Sequence, residues 1–68
     1  MDNYIGKMIA QKRKEIGYTQ QNLAEKLNIS FQAVSKWENG TSDPATSNLL
    51  ALAKLFGVSA EELLREVA

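Results

Sequence analysis

The chain contains no cysteine and no histidine. A disulfide framework is therefore excluded, and the two commonest zinc ligands are missing. The same absence removes the usual nucleophile and general base of enzyme sites, and no glycine-rich phosphate loop is present. A chain of 68 residues also rarely encloses a substrate cavity. No catalytic activity, cofactor, metal or small-molecule ligand is expected. No run approaches the roughly 18 apolar residues of a membrane-spanning helix. The first residues lead into a charged amphipathic stretch rather than the apolar core of a signal peptide. The expected location is the cytoplasm, with no membrane partner. Neither sign of charge dominates, with eight cations against eight anions.

That neutrality argues against a nucleic-acid partner until the order of the charges is read. Residues 1–40 carry six cations and four anions, whereas residues 41–68 carry two cations and four anions. The chain is polarised, basic first and acidic last. Random asymmetry of a solvated surface explains this as well as an electrostatic footprint does.

Proline occurs once, at Pro44, and the four glycines are Gly6, Gly17, Gly40 and Gly57. Gly17, Gly40 and Gly57 each follow a periodic apolar segment, where a left-handed C-terminal cap favours glycine. No sustained alternation indicates a strand. The pattern predicts an all-α domain of five helices spanning 1–68. The first runs from about Tyr4 to Ile16, with Ile5, Met8, Ile9 and Ile16 on one face. Thr19 caps a second helix ending near Leu27, with Leu23, Ala24 and Leu27 inward. Ser30 caps a third that stops before Gly40. A fourth starts after Pro44 with Thr46 as its cap, and its density of apolar residues implies burial on most sides. Ser59 and Glu62 form a capping box for a fifth helix presenting Leu63, Leu64 and Val67. A chain this short has little surface to bury, so its stability must come from helix packing and caps.

The stretch Gln20 to Trp37 carries the functional signal. Two short helices are joined by Asn28-Ile29, a turn tight enough to need one left-handed residue. Asparagine is the best choice after glycine, and Asn28 sits there. Ala24, one helical turn earlier, is small enough to let the third helix approach. At about 100° per residue, Val34, Trp37 and Ala33 fall on one side of that helix. Gln32, Ser35, Lys36 and Asn39 fall on the other, with Phe31 at the boundary. The outward face holds amides, a hydroxyl and an ammonium, and no acid. Glutamine pairs two ways with adenine, lysine donates to guanine, and serine and asparagine reach phosphate oxygens. Trp37 could stack on single-stranded bases, but its spacing from Val34 favours the core.

These residues resemble a family. Ile5-Gly6 through Arg13-Lys14-Glu15, Gly17-Tyr18-Thr19-Gln20, Leu23 to Ser30, Gln32 to Gly40, and Leu52 to Ser59 with Glu62-Leu63-Leu64 are similar to the phage repressor/Cro-type (XRE) helix-turn-helix proteins. The resemblance covers nearly the whole chain. It implies a lambda-repressor-like fold and a transcriptional regulator, a repressor in the first instance, that binds double-stranded DNA. Gln32 and Lys36 would read base edges, with Phe31 and Ser35 beside them. Gln20 would donate to a phosphate, and Asn39 and Thr41 would hold the backbone. Arg13 and Glu38 would form a partly buried structural ion pair, the alternative being that Arg13 contacts a phosphate. Asn28 and Phe31 depart from the family pattern. Phe31 could touch a thymine methyl or fold over the helix N-terminus.

One such domain reads about half a site, so a homodimer on an inverted repeat is expected. Its surface would lie around the end of the fourth helix and the fifth. The rival is an adaptor or antitoxin that keeps this fold and binds a protein instead.

Overall fold

A computed structural model describes residues 5–65, with side chains through residue 63. Five helices follow one another: α1 (Ile5–Glu15), α2 (Gln20–Leu27), α3 (Phe31–Glu38), α4 (Thr46–Phe56) and α5 (Ala60–Arg65). No strand occurs among the described residues. α2 and α3 pack on each other, α1 lies against α3, and α4 contacts both α1 and α2. α5 closes the assembly against α1 and α4. None of the described helices is long and apolar enough to cross a membrane.

The first four helices stop in the same way. At each C-terminus an amide two or three residues beyond the helix reaches back five residues: Tyr18 to Arg13, Ile29 to Ala24, Thr41 to Lys36, and Val58 to Ala53. The amide before it bonds three residues back, giving a Schellman motif in each case. The motif needs a left-handed residue. Glycine supplies it at three of the four ends, and Asn28 (φ 59°, ψ 45°) supplies it between α2 and α3. The N-termini of α2, α3 and α5 are satisfied by side chains. The Thr19 hydroxyl accepts from Asn22 N–H at 3.0 Å, and Asn22 Oδ1 accepts from Thr19 N–H at 3.2 Å, a complete capping box. Ser30 and Ser59 cap α3 and α5 by accepting from Ala33 and Glu62 N–H.

The core consists of Ile5, Ile9, Leu23, Ala24, Val34, Trp37, Leu52, Ala53 and Leu63, drawn from all five helices. Ala24 is almost fully covered, as the close approach of α3 requires. Tyr18, Leu27 and Ile29 pack around its edge. Three expectations are corrected. Ile16 is 42% exposed rather than on the inward face of α1. The helix has ended at Glu15, so the turn carries Ile16 off the face that the periodicity assigned to it. α4 is capped by Ala45, not Thr46, and without a side-chain bond, because the chain enters the helix one residue early. α4 is also not buried on most sides. Leu52 and Ala53 are inside, whereas Leu50 is 56% exposed, because a helix on the outside of a five-helix globule has a free face. Tyr4, and the side chains of Leu64 and Val67, lie outside the described residues.

Candidate nucleic-acid interface

The left-handed Asn28 turn joins α2 to α3, which pack on each other, and that packing decides which side of α3 faces outward. Val34 is fully buried and Trp37 is 4% exposed, so both are core residues. Gln32 and Lys36, one helical turn apart, are exposed. Neither forms a side-chain hydrogen bond or ion pair with another described residue. Ser35 beside them is half-buried and Phe31 is 43% exposed. The four residues expected to read bases therefore share one side of α3.

Asn39 and Thr41 are exposed immediately past α3. Asn39 Oδ1 accepts from Thr41 N–H at 2.9 Å and from the Thr41 hydroxyl. This local turn fixes the chain as it leaves α3.

A charged network joins three of the helices. Arg13 of α1 grips Glu38 of α3 in a fork, with Nε donating to Oε2 at 2.7 Å and Nη2 to Oε1 at 3.0 Å. The third guanidinium nitrogen, Nη1, donates to the Tyr18 carbonyl at 2.8 Å. Gln20, the first residue of α2, donates through Nε2 to Glu38 Oε1 at 2.9 Å. The two charged side chains are 11% and 7% exposed. The Arg13 pKa is raised from its ordinary value, first by the hydrogen bond to Glu38 and then by the carboxylate's charge, with desolvation opposing both. The guanidinium is thus charged at any pH the fold will meet. Its geometry is that of a structural tie, since the guanidinium is spent on Glu38 and Tyr18. Arginine suits this role because its planar fork matches a carboxylate two ways.

Sequence reasoning missed two members of this network. Tyr18 acts through its carbonyl, which no side-chain pattern reveals. Gln20 turns its amide toward Glu38, eighteen residues away, a separation at which no helical periodicity operates. One Nε2 hydrogen and the Oε1 lone pairs remain for an outside partner. Among the remaining lysines, Lys12 lies half-buried with Nζ 3.8 Å from Glu15, a surface pair.

Two crossed helices, a tight left-handed turn and a polar outward face on the second helix define a helix-turn-helix domain. The model of the helix-turn-helix family matches residues 9–63, and the chain belongs to that family, whose members here are phage repressor/Cro-type transcriptional regulators. It is 43% identical over 60 residues to the HTH-type transcriptional regulator ImmR of Bacillus subtilis, an alignment covering 88% of this chain and 47% of ImmR. It is 46% identical over 55 residues to the regulator DicA of Escherichia coli, covering 81% of this chain and 41% of DicA. The chain thus spans less than half the length of these curated relatives. Among solved structures, the P22 c2 repressor in complex with synthetic operator 9T superposes with a TM-score of 0.85 at 33% identity, covering 93% of this chain and 96% of that one.

Proposed function

We propose that residues 1–68 form a single domain that binds double-stranded DNA in a sequence-specific manner and regulates transcription, in the first instance as a repressor in the cytoplasm. The observation that carries this reading is the pair Gln32 and Lys36, whose side chains are exposed on the outer face of α3 and form no hydrogen bond or ion pair with another described residue. α3 enters the major groove and α2 crosses the backbone. Gln32 offers a donor and an acceptor to an adenine edge, and Lys36 donates to guanine. Ser35 and Phe31 lie beside them. Gln20, at the start of α2, keeps one amide hydrogen for a phosphate while Glu38 holds the other. Asn39 and Thr41 meet the backbone past α3. The complex of the P22 c2 repressor with its operator supports the same mode of docking here.

A single α3 covers about half a site, so two copies bind an inverted repeat whose halves lie about 34–36 Å apart. The end of α4 and α5 form the surface between them. Selection from random duplex DNA tests the whole reading. The expected product is an inverted repeat, bound with an affinity that falls steeply as salt rises. A protein that recovers no sequence and shows no affinity for DNA even at low salt would be an adaptor for another protein.

A further inference from the structure

Hydrogen bonding does not account for every group on the outer face of α3. Phe31 is the first residue of that helix and is 43% exposed. Ile16 and Leu50 are also large, apolar and exposed, but they lie in the α1–α2 turn and on α4. Phe31 stands on the helix that carries Gln32 and Lys36. Around the helix it is about 40° from Ser35 and about 100° from Gln32, so its ring forms one edge of the reading face. A capping role does not explain it. The Ser30 hydroxyl already accepts from Ala33 N–H. Ile29 and Val34, the positions of a hydrophobic staple across that N-terminus, are both packed into or against the core.

An A·T pair shows one apolar group in the major groove, the 5-methyl of thymine, and a G·C pair shows none. We propose that Phe31 is a specificity residue that packs on a thymine 5-methyl, at the base pair next to the one held by Gln32. The inference rests on the DNA-binding reading above. Adjacent Cα atoms are about 3.8 Å apart and stacked bases about 3.4 Å, so neighbouring residues at the tip of the helix meet neighbouring bases. Cytosine in place of thymine would lose the methyl and would leave its amino group against a ring that cannot accept a hydrogen bond. The N-terminal turn of a recognition helix is the part that reaches base edges, and Phe31 opens that turn.

The experiment replaces each thymine of a selected duplex, one at a time, by deoxyuridine, which removes the methyl alone. Affinities are measured by fluorescence anisotropy for the wild-type chain, Phe31→Ala and Phe31→Leu. At one thymine the replacement should weaken wild-type binding about fourfold, the worth of one buried methyl. Phe31→Ala should bind thymine and deoxyuridine duplexes equally, and Phe31→Leu should keep part of the difference. If no thymine shows a loss with the wild-type protein, or if the loss persists undiminished in Phe31→Ala, the assignment is overturned while DNA binding stands. If no duplex can be selected at all, both fall together.

Discussion

Replacing Glu38 by glutamine removes the charge that Arg13 grips and changes little else in shape. The two side chains are 11% and 7% exposed, so the guanidinium left behind has little water to turn to. Breaking a buried pair from one side costs about 3–5 kcal/mol. Arg13 keeps its bond to the Tyr18 carbonyl and glutamine still offers an acceptor, which places Glu38→Gln at about 3 kcal/mol or slightly below on that scale. Arg13→Met is the harsher change, because it strips the carboxylate of both charge-assisted bonds, and should cost about 4 kcal/mol. A chain of 68 residues has roughly 3–10 kcal/mol of stability in all, so either variant would lose from about a third of it to all of it. The double variant Arg13→Met/Glu38→Leu removes both charges and should be no worse than either single one, since apolar replacement of a buried pair is often neutral. Urea denaturation followed by the fluorescence of Trp37, the sole tryptophan and a core residue, gives all three values on one scale. Circular dichroism provides a second probe. Single losses under about 1 kcal/mol would place the pair among weak surface bridges and refute the reasoning.

Lys36→Ala and Gln32→Ala should each cost about 1–3 kcal/mol at the selected site and relax base choice there, with Lys36→Ala also flattening the salt dependence, both read by anisotropy titration. Thr19→Ala removes half of the α2 capping box and should lower stability by about 1 kcal/mol in urea. Asn28→Ala should cost about 1 kcal/mol by forcing a Cβ without a compensating amide into the left-handed region, whereas Asn28→Gly should be neutral or stabilising. The raised Arg13 pKa means that its share of stability is complete below the ordinary arginine range and is lost only above it. Urea midpoints of wild type and Arg13→Met should therefore differ by a constant amount between pH 6 and about pH 10, and a gap that closes with rising pH in that window would contradict the assignment.

The secondary structure was written almost entirely in local chemistry. Thr19, Ser30 and Ser59 start helices because a short hydroxyl can satisfy an orphan amide, and Gly17, Gly40, Gly57 and Asn28 end them because each accepts positive φ. The outward pair Gln32 and Lys36 follows from the same periodicity that turns Val34 and Trp37 inward. What failed was periodicity carried past a helix end, as at Ile16, and burial inferred from composition, as at Leu50. Both errors come from asking a local pattern where the rest of the molecule lies.

Spacing along one helix thus sufficed to define five helices and the face of α3 that points outward, since caps and apolar stripes act within a few residues. The link from Arg13 through Glu38 to Gln20 and the Tyr18 carbonyl needed the packed fold, because it joins groups as far as twenty-five residues apart, and such distances close only when three helices meet. Tertiary packing likewise left the ring of Phe31 open to solvent, because the core was already filled by its neighbours.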